Sequence, residues 1–148
     1  MLKIVAAYSY PFRVIGRGGK LPWRYTEDLK KFKLDVAGFT LIGGSNTLKE
    51  VAFLKQPSIC VHRDTDWNVV RQLGREKNVA IVGGEAVFAA GIAFCDILQL
   101  TEIHKVYEGD RYFPIIPKHF ELVQRTQSET EPDLHYCLWR NTHGNSNI

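Results

Sequence analysis

The chain has 148 residues, 45% of them hydrophobic and 24% charged, with 19 Lys and Arg against 16 Asp and Glu for a formal charge of +3. That is the composition of one soluble domain with a substantial core, and no apolar run reaches the roughly 20 residues of a membrane span. The mild positive balance suits an anionic ligand, but the basic residues are scattered, which argues against a nucleic-acid-binding stripe.

Residues 2–8 run almost continuously apolar and predict a first strand covered on both faces, with none of the pattern of a signal peptide. Residues 9–23 form a long loop rich in Gly, Pro and Arg, and loops of that length inside a domain are usually functional. A helix is predicted over 27–36, a strand over 39–42, a short helix from Asn46 and a strand over 58–61. Helix over 66–75, strand over 79–82, helix over 85–93 and strand over 97–103 follow. Residues 120–127 and 134–140 predict a terminal antiparallel pair, with Glu129-Thr-Glu-Pro-Asp133 in the turn. Residues 142–148 are polar and expected to fray, leaving one domain over 1–141. The alternation implies an α/β fold: a central, mostly parallel sheet with helices on both faces and an antiparallel C-terminal pair. Ligands of such sheets bind beyond the carboxyl ends of the strands.

Within Tyr25-Thr-Glu-Asp-Leu-Lys-Lys-Phe-Lys-Leu-Asp-Val36, the residues Tyr25, Leu29, Phe32 and Val36 recur at helical spacing and predict an inward stripe. Asp28 lies on its edge and faces the interior, whereas Glu27 points outward, where Lys31 at i+4 can pair with it. Thr26 is the expected N-cap. An acidic first turn also suits the helix dipole, so position alone leaves the role of Asp28 open.

Two segments share a pattern of strand, Gly-Gly and helix start: Leu41-Ile-Gly-Gly-Ser-Asn-Thr47 and Val79-Ala-Ile-Val-Gly-Gly-Glu-Ala-Val-Phe88. Each is a tight turn or a place where backbone approaches a phosphate closely. Two in one domain favour a ligand with phosphates at both ends. Thr101 falls in the apolar strand Ile97-Leu-Gln-Leu-Thr-Glu-Ile103. Cys60, Cys95 and Cys137 have apolar neighbours and no metal spacing, so reduced core thiols in a cytoplasmic protein are expected. The five histidines lack the partners of a zinc site, and no metal is expected.

Together these residues resemble dihydrofolate reductase. Val14-Ile-Gly-Arg-Gly-Gly-Lys-Leu-Pro-Trp23, followed by Glu27-Asp-Leu-Lys-Lys-Phe32, resembles the mobile loop of that family and the helix bearing its acidic residue. Gly44 to Thr47, Ile81-Val-Gly-Gly84, Leu100-Thr-Glu-Ile103, Glu108-Gly-Asp-Arg-Tyr-Phe-Pro114 and His135-Tyr-Cys137 match in the same order, so the resemblance spans nearly the whole chain.

The resemblance implies reduction of 7,8-dihydrofolate by NADPH in a cytoplasmic monomer that small antifolates inhibit, with no nucleic-acid or membrane partner. It implies that Asp28 bonds the pterin N3 and 2-amino group with support from Thr101, and that Val5, Ala6, Leu29, Phe32, Val51 and Leu54 wall the substrate. Leu21 closes the loop over the nicotinamide and Trp23 orders water near Asp28. Ala7, Ile15, Gly16, Gly19, Lys20, Gly44, Ser45, Asn46, Thr47, Val61, His62, Arg63, Val82, Gly83, Gly84, Glu85, Ala86, Val87 and Phe88 hold the cofactor, with a cis Gly83-Gly84 peptide.

The chain departs from the family at four places. Ser45 replaces a frequent Arg or Lys, and Phe88 replaces a common aromatic hydroxyl. The stretch 64–78 is short, so an edge strand near the adenine is expected to be missing. Gln56, beside Lys55, stands where an Arg usually meets the substrate's glutamate tail. Two rival readings are the related pyrimidine reductase of riboflavin synthesis and a ligand- or nucleic-acid-binding module without catalysis. Leu21-Pro-Trp23 followed by Glu27-Asp-Leu29 argues against the first, and the absence of a basic stripe with interleaved aromatics against the second.

Overall fold

The apolar runs become the middle of a sheet. The computed structural model describes residues 1–143. In chain order its elements are β1 (Leu2–Ser9), β2 (Val14–Gly16), α1 (Thr26–Val36), β3 (Thr40–Gly43), α2 (Ser45–Glu50), β4 (Ser58–Cys60) and α3 (Trp67–Glu76). Then come β5 (Val79–Gly83), α4 (Glu85–Gly91), β6 (Ile97–Ile103), β7 (Arg111–Tyr112), β8 (Phe120–Gln127) and β9 (Leu134–Asn141). Single 3-10 turns at Ala52–Leu54 and Ile92–Phe94 follow α2 and α4.

The sheet order is β4-β3-β5-β1-β6-β9-β8, with β2 paired to β1 and β7 paired to β2. The first five strands run parallel, and β9 and β8 are antiparallel. Every residue of β5 is buried, as expected for a strand with helices on both faces. One core face gathers Leu2, Ile4, Ile42, Val70, Ile81, Phe88 and Phe113; the other gathers Val5, Val36, Leu41, Ala80 and Val82 beneath α1 and α2. Burying such side chains contributes about 1.5–3 kcal/mol each. No strand lies beyond β4 among the described residues, in keeping with the short 64–78 stretch.

Several expectations need correction. The long loop contains β2, whose partner β7 comes from residues that carry no strand pattern. Thr26 does not cap α1: the N-cap is Tyr25, without a side-chain bond. Glu27 does not pair with Lys31. Its carboxylate accepts from Ser128 Oγ (2.8 Å), the Thr130 hydroxyl and the Tyr136 hydroxyl, so it ties α1 to the β8–β9 turn. Lys31 instead meets Asp35 at 2.5 Å. Cys60 is exposed at the sheet edge, unlike the buried Cys95 and Cys137. Of the expected tail, Thr142 is tied down, because its N–H and hydroxyl both donate to the His119 carbonyl; residues 144–148 lie outside the described residues.

Candidate active site

Strand β6 and helix α1 bring the first pair of residues together. Thr101, buried in β6, hydrogen-bonds the carboxylate of Asp28 in the first turn of α1. Burial pushes the Asp28 carboxyl above its ordinary range, while the Thr101 bond and the positive charge of Lys31 pull it back. The charges of Asp35 and Glu27 add to the upward push. Asp28 is therefore an interior carboxylate whose protonation responds to what lies beside it.

Asp28 and Thr101 line a cavity of about 530 Å³. That volume is in the range of sites that enclose a small organic ligand. Val5, Ala6, Ala7, Phe32 and Val51 form apolar wall, with Val82, Gly83 and Phe88 at the end where β5 stops. Leu29 is 48% exposed, so it faces this space and not the core, which corrects the inward stripe at that position. Leu54 is not part of the lining. It packs with Phe39 and Leu48 against the second core face, and Phe53, one residue earlier, meets the cavity. Trp23 is 8% exposed and tilts against Tyr107 at 5.5 Å while still reaching the wall.

Ile15, Leu21, Thr47, Glu50 and Gly84 border both this cavity and a larger groove of about 1440 Å³. The two spaces are thus continuous, with Leu21, 66% exposed, at their junction. The groove runs from β2 across the carboxyl ends of β5, β3 and β4. Its walls include Gly16, Gly19, Lys20, Gly44, Ser45, Asn46, Val61, His62, Arg63, Glu85, Ala86 and Val87.

The two Gly-Gly turns prove to be one packed unit. Gly44 N–H donates to the Gly83 carbonyl at 2.9 Å. A Cβ at Gly43 would lie 3.0 Å from that same oxygen, and one at Gly83, where φ is +137°, would lie 3.2 Å from Thr47 Cγ2. Glycine is required here because the two turns approach each other this closely. The Gly83-Gly84 peptide is cis.

The comparisons with known proteins agree on what this arrangement belongs to. The family model described as dihydrofolate reductase matches residues 1–141. The chain belongs to the dihydrofolate reductase family. Its members are oxidoreductases that use NADPH. A dihydrofolate reductase from Staphylococcus aureus (strain Mu50) is 31% identical, across 81% of this chain and 80% of its own. That of Bacillus subtilis is 28% identical across 86% and 87%. The dihydrofolate reductase from Enterococcus faecalis, solved in complex with NADP(H) and RAB-propyl, superposes with a TM-score of 0.74 at 26% identity, covering 95% of this chain and 96% of that one.

Against that family background, Gln56 is withdrawn from the cavity. Its amide nitrogen donates to the carbonyls of Val36 (2.7 Å) and Phe39 (2.8 Å), closing the end of α1. The cations near the cavity mouth are others: Arg24 and Lys31 line it, and Lys33 Nζ lies 5.5 Å from the ring of Phe53. Sequence reasoning also missed Gln99 in the cavity and Glu50, Trp67, Ala90 and Arg111 in the groove. Gln99 was legible, being two residues before Thr101 on the same strand face. Arg111 was not, because only the β2–β7 pairing brings it there.

Proposed function

We propose that this chain reduces 7,8-dihydrofolate to 5,6,7,8-tetrahydrofolate, with Asp28 anchoring the pterin. The observation that carries the reading is the half-buried, Thr101-bonded Asp28 in a cavity that opens past Leu21 into a groove lined by cations. The donor set fits a phosphorylated dinucleotide: Lys20, His62, Arg63 and Arg111 line the groove, and its glycines allow close approach of backbone. NADPH, when bound, supplies the hydride that reaches C6 of the pterin.

The work of the chain itself is orientation and exclusion of water. Asp28 accepts hydrogen bonds from N3 and the 2-amino group, and its negative charge favours the ring protonated at N5. Thr101 holds the carboxylate in place. Leu21 covers the junction where hydride donor and acceptor meet, and Ala7, Ile15 and Phe88 supply apolar wall around it. No nucleophile is needed for this reaction.

Steady-state NADPH consumption with dihydrofolate tests the proposal. Turnover is expected. Binding of NADPH without turnover would point to a module that has lost catalysis, and activity only on a pyrimidine precursor of riboflavin would point to the rival reductase. NADPH is expected to be preferred over NADH, because Arg63, at the β4 end of the groove, can offer a planar cation to a 2′-phosphate. In Arg63→Ala that preference should shrink about tenfold or more; an unchanged NADPH-to-NADH ratio of kcat/KM would place the discrimination elsewhere.

The glutamate tail of folate should contribute little. Gln56 is engaged with backbone, and Lys55 is exposed, where a single ion pair is worth about 0–1 kcal/mol and weakens with salt. Folate should therefore bind within about fivefold of pteroate, its tail-less analogue. A large advantage for folate that persists at high salt would contradict this and implicate a cation of the cavity wall such as Arg24.

A further inference from the structure

We infer that Arg111 is the cation that binds the diphosphate of the dinucleotide, a role that the starts of α2 and α4 do not provide. The inference rests on the reading of the groove as the NADPH site. A diphosphate calls for a cationic partner, and a guanidinium fork matches its oxygens in pairs. The residues that open α2 and α4 are Ser45, Asn46, Glu85 and Ala86, and none is a cation.

Arg111 comes from the opposite wall. It pairs with Gly16 in the β2–β7 ladder, and a Cβ built on Gly16 would meet Arg111 Cβ at 3.3 Å and Cγ at 3.5 Å. The stem of Arg111 thus lies over Gly16, in space that any larger residue would fill. Glu85 fixes the same wall from the other side: its Oε2 accepts the Tyr112 N–H at 2.7 Å, which brings β7 against the start of α4. That bond also engages a carboxylate that lines the groove.

The acidic residues beside Arg111 in the chain have partners of their own. Glu108 lies 4.0 Å from Arg17, and Asp110 Oδ2 accepts the Gly18 N–H at 3.2 Å. Arg111 makes only a long 3.4 Å contact to the Asp110 carbonyl, and no carboxylate pairs with it among the described residues. It is a groove-lining guanidinium without an anionic partner.

The two ends of the groove divide the work. Arg63 follows β4, three strand spacings from β1, or roughly 14 Å. Arg111 lies off β1 by way of β2, on the side of Leu21 and the cavity. A dinucleotide with its reactive ring in the cavity presents its diphosphate first and its 2′-phosphate last. Lys20 shares the inner wall, but as a strongly hydrated point charge it gives less geometric selection than the guanidinium of Arg111.

The test is equilibrium titration of NADPH and NADH, followed by quenching of Trp23 and Trp67, whose side chains line the cavity and the groove. Arg111→Gln, which keeps the stem over Gly16, is expected to weaken both dinucleotides by the same factor, about ten- to a hundredfold. Arg63→Ala should weaken NADPH alone. Arg111→Lys, with the charge but no fork, should fall between wild type and glutamine for both ligands, and it decides the matter if the glutamine variant does not fold. Wild-type affinity in whichever of the two variants folds would overturn the inference, as would a loss confined to NADPH, which would make Arg111 a 2′-phosphate reader. Failure of the wild-type chain to bind either dinucleotide would overturn the reading of the groove itself.

Discussion

Asp28→Asn is expected to lower turnover at neutral pH by about a hundredfold or more while leaving the fold intact. Asparagine nearly preserves the shape of the side chain and can still meet the Thr101 hydroxyl. It loses the negative charge that, in the proposed function, holds N3 and the 2-amino group together and favours protonation of the ring. Raising the pH should not restore activity, because the amide has no ionised form to recover. Glu27→Gln is the matched control. Glu27 spends both carboxylate oxygens on Ser128, Thr130 and Tyr136, and those bonds hold its carboxyl below the ordinary range. Normal turnover in Asp28→Asn together with loss in Glu27→Gln would reverse the assignment.

The same substitution carries a stability prediction of definite sign. Burial raises the Asp28 carboxyl above its unfolded value, so the folded state binds the proton more tightly than the unfolded state. Keeping the carboxylate ionised in the interior therefore costs stability, fully above the raised folded pKa and not at all below the unfolded one. Asp28→Asn should melt higher than wild type at neutral pH, and the gap should close as the pH falls through that window. A gap independent of pH would mean that ionisation of Asp28 is not its source. Higher stability with lost turnover is the pattern expected of a group kept in an unfavourable place for its chemistry.

The parts of the fold that were legible in the sequence are those whose signal is local. β1, β5 and β6 are apolar runs with few alternatives, and the helix after each Gly-Gly pair begins within a residue of its expected start. Asp28 was legible because helical spacing placed it on the stripe edge. What was not legible depends on residues far apart in the chain. Glu27 finds Tyr136, 109 positions away, and not the lysine one turn along. Leu29 has the spacing of a core residue, but the space beneath it is the cavity. Gln56 aligns with a ligand-binding position, yet its side chain closes α1. β7 has only two residues and no alternation, so its pairing with β2 follows from the fold around it.

That pairing sets the last prediction. Gly109→Ala should retain the fold, lose about 1–3 kcal/mol of stability, and impair cofactor binding and turnover although residue 109 lines neither the cavity nor the groove. A Cβ on Gly109 would collide with Val14 Cγ1 and with the Gly16 carbonyl oxygen, closer than side chains tolerate. Val14 is buried and Gly16 O already accepts the Asp110 N–H at 2.9 Å, so neither can simply move aside. The added methyl must lever β7 away from β2. That shift displaces Arg111 and also Ile15, which borders both spaces, so geometry at the reaction centre suffers with binding; misplacement of about 1 Å can cost a hundredfold in rate. Gly38→Ala separates this from general destabilisation. Gly38 has φ +80° and open space around it, so alanine there incurs a backbone cost of roughly 1–2 kcal/mol but leaves β2 and β7 alone. Denaturant unfolding should find both variants weakened, while dinucleotide titration and single-turnover kinetics should find only Gly109→Ala impaired, by about tenfold or more. Equal binding and turnover in the two variants would show that the β2–β7 ladder does not position the site.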